Sequence, residues 1–350
     1  MINDFTQLIK WSKSEHAELP WRNGRSLYTT LVSEIMLQQT TVSTVKPKFS
    51  SFIKLFPTLE SLAQCKEDDL ALAWQGLGYY RRAANLFKAA KYLHIELGGE
   101  FPQDANHLME IPGIGHYTAH ALLAIGMDKA TLALDANLKR VLARYFALKL
   151  EGKELETALM NRIPLFAEVF EEFSGRQVNE AFMDLGRVTC TARAANCLIC
   201  PLYKTCEAAK LGDPMTYPLK KDKPKPKEEL SLMRFLIIED GEVLVYQKEQ
   251  GEWLNKQWEL PTAVISCTEK IFKQYPIGDD LKTPDQKPIK TSITKYKISN
   301  YSQEISREEL HSSAPQYTKR KCKFVSLEEL QNSQSKVHLS SASLKVLRSL

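Results

Sequence analysis

The chain contains a tight group of four cysteines in a sequence with few others. Cys190, Cys197, Cys200 and Cys206 have the spacing C-x6-C-x2-C-x5-C, whereas the other three of the seven cysteines are isolated. Four soft thiolates within seventeen residues can close around one metal centre, and such groups bind zinc or iron–sulfur clusters. Zinc sites more often have two short C-x2-C pairs, and this loop has one. The spacing therefore predicts a metal site, rather than unrelated thiols, and leaves zinc and iron open.

Two carboxylates occupy positions suited to acid–base or electrostatic work. Glu34 is flanked by apolar Leu31, Ile35 and Leu37, which favours burial, although a glutamate on a helix is usually a solvated surface residue. Asp135 follows an apolar stretch and precedes a basic helical pattern, which is the ordinary place of a helix N-cap. A carboxyl buried among apolar neighbours keeps its proton near neutral pH and can act as a general acid. An ionised carboxylate can instead stabilise positive charge.

A Pro-Gly-Ile-Gly turn lies between two helical patterns in residues 108–126. Gly113 and Gly115 allow positive backbone angles and leave the amides bare. Such a turn before a helix N-terminus can bind a phosphate through backbone N–H groups. An ordinary tight turn between helices fits the same four residues, so the turn alone does not decide between these interpretations.

The elements that must position these residues change character along the chain. Apolar residues recur at helical spacing in residues 27–45 and 115–126, and the first 210 or so residues are predicted to be almost entirely helical. Beyond them, β-branched runs flank Asp240-Gly241, which predicts a β-hairpin, and residues 290–298 form a later β run. The predicted layout is a mainly α domain at 1–211, an extended basic Pro/Lys linker at 212–228 and a smaller α/β domain at 229–350.

Bulk composition narrows the class of protein. The 350 residues suffice for two domains, and 43% hydrophobic content is that of a globular protein. The net charge of +5 is mild and does not by itself establish a nucleic-acid partner. The sequence has no apolar run of membrane-spanning length and no signal-peptide pattern at its start. With a thiolate cluster in place of disulfides, these features predict a cytoplasmic protein with no membrane partner.

The order of the glycine turn, Asp135 and the cysteine loop resembles the helix-hairpin-helix glycosylases of the endonuclease III superfamily. In that superfamily the loop 190–206 would hold a 4Fe-4S cluster, so the resemblance favours iron over zinc. It also places Asp135 at the mouth of the active-site cleft, where capping and catalysis are compatible roles.

Three further segments resemble the adenine DNA glycosylases of the MutY type within that superfamily. They are LPWR at 19–22, LVSEIMLQQTTVSTV at 31–45 and WQGLGYYRRAANL at 74–86. Glu34 matches the catalytic acid of this family. Tyr117 stands where lyase-type relatives carry a Schiff-base lysine, which implies a monofunctional enzyme that forms no imine with the abasic sugar. If the chain belongs to this family, the enzyme is a hydrolase of base excision repair.

The resemblance implies a division of labour between the carboxyl groups. Adenine is a poor leaving group unless a ring nitrogen is protonated, and its departure leaves an oxocarbenium-like sugar, as in glycoside hydrolysis. Glu34 would supply the proton, and ionised Asp135 would stabilise the sugar electrostatically or through a transient covalent bond. Tyr117 and Asn137 are expected beside this centre. The pocket for the extruded adenine is expected to include Trp21, Arg22 and Glu180.

Base extrusion leaves a gap in the duplex that the protein must fill. The resemblance implies that Gln39 and Tyr79 intercalate, with help from Leu77; a helix-surface glutamine and a core tyrosine are the ordinary alternatives. Arg81 and Arg82 could reach phosphates or be ordinary solvated arginines. Arg193 is the expected phosphate contact in the cysteine loop, with Lys204 behind it. The implied partner is double-stranded DNA with adenine opposite 8-oxoguanine or guanine, bound by a monomer.

The segment 251–262 resembles the C-terminal domain of the same family, which is related to the Nudix fold. The glutamate pattern of a Nudix hydrolase is absent from the sequence, which argues against pyrophosphate hydrolysis. In the family this domain reads 8-oxoguanine through a β-turn of aromatic, small hydroxyl and histidine residues. The matching residues here are Ile293, Thr294 and Lys295, so a hydroxyl is kept and the histidine is replaced. An ordinary exposed strand fits this sequence too.

Three other functions remain as alternatives. An endonuclease III-like enzyme acting on damaged pyrimidines is opposed by Tyr117, Glu34 and the extra C-terminal domain. A non-catalytic DNA-binding protein is opposed by the presence of both Glu34 and Asp135. A nucleotide hydrolase is opposed by the missing Nudix glutamates.

Overall fold

In the computed structural model, the chain forms two compact units, Met1–Asp222 and Lys223–Leu350. The structure describes residues 2–16, 18–219, 228–254, 257–269, 272–278, 281–332, 335 and 337–350. Among these residues, no helix is both long and apolar enough to cross a membrane.

Only the first part of the predicted linker at 212–228 can be compared with the structure, because 220–227 lie outside the described residues. Pro214–Thr216 form a 3-10 turn, and the Leu219 N–H donates to the Leu150 carbonyl at 3.1 Å. This part of the segment is therefore attached to the helical unit and is not extended throughout.

The first unit is built from α-helices in its described residues, as the sequence predicts. Two buried apolar clusters hold them together: one contains Leu31 and Trp74, and the other contains Phe5 and Phe182. The helices are α1 Ile2–His16, α2 Leu27–Leu37, α3 Val42–Leu55, α4 Leu59–Ala63, α5 Glu67–Ala73, α6 Arg81–Ile95, α7 Ala105–Glu110, α8 His116–Ala121, α9 Ala136–Tyr145, α10 Gly152–Met160, α11 Ala167–Glu172, α12 Gly175–Val188 and α13 Glu207–Lys210.

The helical pattern at 27–45 is interrupted, which the apolar spacing did not predict. Ser26 and Thr29 form a capping box that starts α2. Gln39 adopts a left-handed backbone with φ 55°, and Thr41 caps the following helix through its hydroxyl. A left-handed residue cannot continue a right-handed helix, so a short loop separates α2 from α3.

The predicted helix at 115–126 also changes form along its length. Its α-helical part ends at Ala121, and Leu122–Gly126 continue as one π-helical turn. Such turns leave a helix wider by one residue and recur near functional sites.

The second unit contains two four-stranded sheets among its described residues, so its α/β character agrees with the prediction. The first sheet has the strand order β5-β1-β7-β6; in the second, β3 pairs with β2, β4 and β8. The elements are β1 Glu228–Leu236, β2 Ile238–Glu239, β3 Glu242–Gln247, β4 Trp258–Glu259, β5 Thr262–Cys267, β6 Ile289–Ile293, β7 Tyr296–Glu304, α14 Arg307–Ser313, β8 Cys322–Ser326, α15 Leu327–Gln331 and α16 Ser341–Leu347.

Two β predictions have different outcomes. Asp240 and Gly241 both have positive φ and connect β2 to β3, so the predicted Asp-Gly hairpin is confirmed. The single β run at 290–298 is wrong: β6 and β7 pair antiparallel, with Ile293 opposite Tyr296, and Thr294 and Lys295 make the turn between them. Alternation of polar residues continues across a two-residue turn, so periodicity alone does not reveal it.

A buried charge cluster joins the two sheets of the second unit. Glu259 on β4 accepts from Arg234 on β1 at 2.7 Å and lies 3.2 Å from the Lys248 Nζ. Burial acts to raise the pKa of Glu259, but these two cations hold it at about 2. Removal of one member of a buried ion pair leaves an uncompensated charge and costs about 3–5 kcal/mol. The cluster therefore links β1 of one sheet to β4 of the other through paired charges.

Candidate active site

A cleft of about 1230 Å³ in the helical unit collects most of the predicted site residues. It is lined by side chains and backbone from α2, α8, α9 and α12 and from the loops between helices. The predicted residues that line it are Trp21, Arg22, Glu34, Gln39, Gly113, Gly115, Tyr117, Asp135, Asn137, Glu180 and Arg193.

Glu34 on α2 is a buried carboxyl, with 5% of its surface exposed. Its Oε2 accepts a hydrogen bond of 2.5 Å from the Tyr117 hydroxyl. Burial is the main reason that the pKa of Glu34 rises from 4.5 to about 7; the Tyr117 hydrogen bond opposes the rise and the charge of Asp135 adds to it. A carboxyl with this pKa holds its proton in a large fraction of molecules at neutral pH and can donate it.

Tyr117 remains a protonated donor to Glu34. Burial, and then the charges of Glu34 and Asp135, raise the pKa of Tyr117 well above its ordinary value. The phenol can therefore orient the carboxyl group of Glu34 without losing its own proton.

Asp135 is the N-cap of α9, so the capping interpretation is confirmed. One carboxylate oxygen accepts from the Leu138 N–H at 2.7 Å and the other from the Asn137 amide at 2.8 Å. Burial raises the pKa of Asp135 above its ordinary value, although these hydrogen bonds and the nearby Arg140 charge oppose the rise. The partners fix the orientation of the carboxylate at the cleft.

A guanidinium connects the Asp135 partner to the cysteine loop. Arg140 donates to Oδ1 of Asn137 at 2.8 Å, to the Gly186 carbonyl at 2.6 Å and, through Nε, to the Cys190 carbonyl at 2.9 Å. A Cβ at Gly186 would lie 2.6 Å from the Asn137 Cβ. The sequence analysis missed Arg140 and Gly186; only the basic pattern after Asp135 pointed toward the arginine.

The predicted adenine pocket contains a network of partly buried charges. Arg22 donates to Oδ2 of Asp184 at 3.0 Å, and the Ser12 hydroxyl donates to the same oxygen at 2.7 Å. Glu180 lies 3.4 Å from the Arg22 Nε and also accepts from Arg25. Arg22 and Glu180 were expected from the family resemblance, whereas Arg25 and Asp184 were missed; folding pairs each of these with a residue at least 155 positions away.

Trp21 supplies an apolar wall to the same pocket. It is 6% exposed and packs edge-to-face on Phe49 with ring centroids 5.7 Å apart. An aromatic ring held in this way offers a flat, rigid surface to a planar ligand.

Two loops beside the cleft carry the predicted intercalating residues. Gln39 is exposed, and Tyr79 has 62% of its surface exposed with φ 47°. Leu77, in contrast, is 4% exposed and belongs to the apolar core; that it helps to fill the duplex stays a prediction. Its apolar side chain is stabilised more by burial than by a place on the surface.

Arg82 is also placed differently from the prediction. Its side chain is buried, and its guanidinium donates to five backbone carbonyls and to the Thr40 hydroxyl. A guanidinium occupied in this way is not available to a phosphate. Arg81, the preceding residue, is the exposed one.

The glycine turn before α8 contains one position that requires glycine. Gly113 has φ +91°, and a Cβ there would lie 2.5 Å from the Asn85 carbonyl oxygen. Gly115 has an ordinary φ of −98°, precedes α8 as its N-cap, and has open space where a Cβ would be. Of the two glycines, Gly113 alone therefore uses the positive backbone angle that both allow.

The four cysteines line one small cavity together with Arg144. Arg144 donates to the Cys190 sulfur at 3.1 Å. In the part of the chain that the structure describes, no three His, Cys, Asp or Glu side chains are close enough to hold a single metal ion. Four thiols around a shared cavity, with a cation beside one of them, nevertheless fit a multi-iron cluster, whose ligands bind different irons.

Basic side chains at the outer face of the cysteine loop are free to meet a ligand. Arg193 and Lys204 are exposed, and the Thr191 hydroxyl accepts from the Arg193 and Ala194 backbone N–H groups, which shapes the turn.

The predicted reading turn lies in the second unit. Thr294 has φ 49°, a backbone conformation that is strained for a β-branched residue. Lys295 is half-exposed and pairs with Glu269 at 2.6 Å, and Glu269 also accepts from the Tyr296 hydroxyl.

Comparisons with known proteins point to one group. A family described as HhH-GPD superfamily base excision DNA repair protein matches residues 32–165. The chain is 37% identical over 260 residues to the adenine DNA glycosylase of Buchnera aphidicola subsp. Schizaphis graminum, covering 73% of this chain and 71% of that protein. It is 33% identical over 299 residues to the adenine DNA glycosylase of Arabidopsis thaliana, covering 74% of this chain and 47% of that protein. A solved structure of a thermostable thymine-DNA glycosylase is similar with a TM-score of 0.52 and 25% identity, covering 59% of this chain and 95% of that chain.

Proposed function

The chain belongs to the adenine DNA glycosylase family and is a base-excision-repair DNA glycosylase, and we propose that it hydrolyses the N-glycosidic bond of adenine mispaired with 8-oxoguanine or guanine. The observation that carries this proposal is the buried pair of Glu34 and Tyr117 with Asp135 at the same cleft.

Glu34 is the proposed general acid. Its pKa of about 7 lets it hold a proton at neutral pH and still release it to a ring nitrogen as the bond breaks. The Tyr117 hydroxyl fixes the direction of the carboxyl group by occupying one of its oxygens. The acid is thus held in one orientation before the base arrives.

Asp135 is the proposed stabiliser of the cationic sugar. Three groups support its ionised form, namely the Leu138 N–H, the Asn137 amide and the Arg140 charge. An ionised carboxylate in a partly dry cleft stabilises a developing oxocarbenium ion more strongly than water does. Asn137 and Arg140 are then positioning residues, because they act through Asp135.

The proposed adenine pocket combines a flat wall with fixed charges. Trp21 supplies the wall, and Arg22 with Glu180 supplies donors and acceptors for the polar edge of the base. Gln39 and Tyr79 would occupy the gap left in the duplex. Both protrude from loops at one end of helices that are otherwise well packed.

We propose that the enzyme is monofunctional. A lyase needs an amine that forms an imine with the abasic sugar. Tyr117 stands where such an amine would be expected, and none of the described residues that line the cleft is a lysine.

The cysteine loop is the proposed holder of a 4Fe-4S cluster, with Cys190, Cys197, Cys200 and Cys206 as ligands. When bound, the cluster supplies a rigid fold for the loop rather than chemistry on the base. Arg193 is then held at the surface for a phosphate, and the Gly113 turn offers backbone amides to another.

The second unit is proposed to be Nudix-like and to read the base opposite adenine. The Thr294 hydroxyl stands at the tip of a strained turn, where it is open to a partner. Lys295 can donate a hydrogen bond, although Glu269 occupies it in the structure. The proposed partner is therefore double-stranded DNA containing adenine opposite 8-oxoguanine or guanine, bound by one copy of the chain.

The test is single-turnover release of adenine from two duplexes that differ only in the opposing base. Release from both duplexes, faster for 8-oxoguanine, is expected. Equal rates would contradict the proposal that the second unit reads the lesion. No release from either duplex would contradict the proposed action on adenine. Borohydride treatment during the reaction should trap no covalent DNA complex, and efficient trapping would contradict the monofunctional assignment.

A further inference from the structure

One buried arginine fastens together the two loops that carry the exposed residues Gln39 and Tyr79. Arg82 lies at the start of α6 and is 7% exposed. Its Nη1 donates to the carbonyl oxygens of Ile35 at 3.0 Å, Met36 at 2.8 Å and Gln38 at 2.5 Å. These carbonyls are left without a helical partner because α2 ends there.

The other nitrogen of the same guanidinium binds the second loop. Nη2 of Arg82 donates to the carbonyl oxygens of Leu77 at 2.9 Å and Gly78 at 3.2 Å, and to the Thr40 hydroxyl at 2.8 Å. The Thr40 hydroxyl is also 3.4 Å from the Leu77 carbonyl. Two segments almost forty residues apart are thus joined by one planar group.

Each loop contains a residue in the left-handed backbone conformation next to an acceptor of Arg82. Gln39, with φ 55°, lies between Gln38 and Thr40, and Tyr79, with φ 47°, follows Gly78. Such a conformation is disfavoured for a residue other than glycine, because its Cβ comes too close to the following carbonyl oxygen. It persists only where surrounding contacts hold it, and the bonds of Arg82 are such contacts.

Aromatic contacts hold the second loop against the same arginine. The guanidinium carbon of Arg82 lies 5.5 Å from the Tyr79 ring centroid and 5.6 Å from that of Trp74. The Trp74 indole N–H donates to the Gly78 carbonyl at 3.1 Å. The Arg82 guanidinium therefore positions the exposed Tyr79 ring as well as the loop that carries Gln39.

From this geometry we propose that Arg82 is a positioning residue that makes Gln39 and Tyr79 act as a single wedge on the duplex. The proposal rests on the proposed function, in which these two side chains enter the base stack. Arginine suits this role because its planar fork presents several donors in fixed directions. Lysine keeps the charge but has three donors on one atom, so it cannot make the six hydrogen bonds by which the guanidinium spans both loops.

Arg82→Lys is the test variant, and Arg81→Lys is the matched control because Arg81 is the exposed neighbour. Two substrates are compared under single turnover: adenine opposite 8-oxoguanine in an intact duplex, and adenine opposite an abasic analogue, where stacking is already disrupted. Arg82→Lys should slow release from the intact duplex by about tenfold to hundredfold. It should slow release from the disrupted duplex far less, and Arg81→Lys should be close to wild type on both.

Opening of the duplex is measured separately, by the fluorescence of 2-aminopurine placed beside the target adenine. Arg82→Lys should reduce the rise that binding produces, and this readout does not depend on base release. If the wild type releases no adenine yet raises the fluorescence, the proposed function fails. The wedge proposal is then decided by whether Arg82→Lys reduces that fluorescence rise. Equal slowing on both substrates, or an unchanged fluorescence rise, would overturn the wedge proposal.

A second variant covers the case in which Arg82→Lys does not fold. Thr40→Val removes one acceptor of the guanidinium with nearly the same shape. The same pattern, smaller in size, is expected for it. Release and fluorescence like those of wild type would show that the bond between Arg82 and Thr40 plays no part in opening the duplex and would count against the wedge.

Discussion

The hydroxyl of Tyr117 donates a hydrogen bond of 2.5 Å to Oε2 of Glu34. This bond favours the ionised form of Glu34, whereas burial of the carboxyl favours the protonated form, and burial prevails. The balance leaves the pKa of Glu34 at about 7. A small change in either influence therefore moves the fraction of enzyme that carries the proton at physiological pH.

The rate of adenine release should depend on pH through Glu34. The acid must be protonated, so the single-turnover rate should be highest below pH 7 and fall about tenfold per unit well above it. Glu34→Gln cannot donate the proton and should lose about 10²–10⁴-fold in rate. A variant rate near wild type, or a flat pH profile, would contradict the assigned role.

Glu34→Gln should also stabilise the fold at alkaline pH. The folded-state pKa of about 7 lies above the ordinary 4.5, so the stability that the protonated carboxyl provides below pH 4.5 is lost as pH rises through 7. The loss approaches about 3 kcal/mol. Thermal unfolding at pH 8 should show the variant above wild type, and at pH 4 the difference should vanish. This result also separates the lost activity from misfolding.

Tyr117→Phe should shift the pH profile rather than abolish release. The lost hydrogen bond is one that lowers the pKa of Glu34, so the descending limb of the rate profile should move to higher pH. The rate at its plateau should fall as well, because the acid is less well oriented. A limb that moves to lower pH would show that the hydrogen bond favours the protonated carboxyl.

Gly186→Ala should damage the site although alanine is the better helix former. Helix propensity favours alanine on α12 by up to about 1 kcal/mol. The new Cβ would meet the Asn137 Cβ at 2.6 Å, and overpacking of this kind costs about 1–3 kcal/mol. We expect a lower unfolding temperature and slower adenine release, since Asn137 would move away from Asp135. Val188→Ala, on the exposed part of the same helix, is the control and should keep the wild-type rate.

Purified protein should contain four irons and four sulfides per chain, with the visible absorbance of a thiolate-bound cluster. Cys197→Ser should lose most of the iron and bind DNA more weakly, because the basic loop around Arg193 loses its support. Cys65→Ser lies outside the loop and should keep both. Stoichiometric zinc in place of iron would contradict the cluster assignment.

Two substitutions of Thr294 should show whether its hydroxyl recognises the lesion, independently of its effect on stability. Thr294→Gly removes strain at φ 49° and should stabilise the second unit by about 1 kcal/mol, but it also removes the hydroxyl. Thr294→Ser keeps the hydroxyl. The ratio of release rates for 8-oxoguanine over guanine should fall in the glycine variant and persist in the serine variant. An unchanged ratio in both would exclude the Thr294 hydroxyl as a reader.

Sequence patterns predicted the features that depend on neighbouring residues. Apolar neighbours predicted that Glu34 is buried, and the place of Asp135 before a helix predicted its cap; both are present. The Asp240-Gly241 turn was predicted for the same reason, since its backbone angles suit only a few residue types. The thiolate spacing indicated a metal-binding loop, and both the loop's metal and its cluster stay predictions.

Patterns failed where two conformations fit the same residues. Residues 27–45 keep helical spacing through a loop, and residues 290–298 keep strand alternation through a turn. In each case a left-handed residue, Gln39 or Thr294, interrupts the element. No local preference of glutamine or threonine announces that conformation; long-range contacts impose it.

The sequence by itself indicated the family, the change of composition between the two parts of the chain, and the residues proposed as the acid and its neighbours. The tertiary structure alone decided which charged side chains bond to other groups of the protein and which are exposed to solvent. Arg81 and Arg82 are equivalent in sequence, yet one is exposed and the other is buried among carbonyl oxygens. Arg25 and Glu180 meet across 155 residues. Burial and pairing of a charge depend on the groups that folding brings beside it, and spacing along the chain does not predict which groups these are.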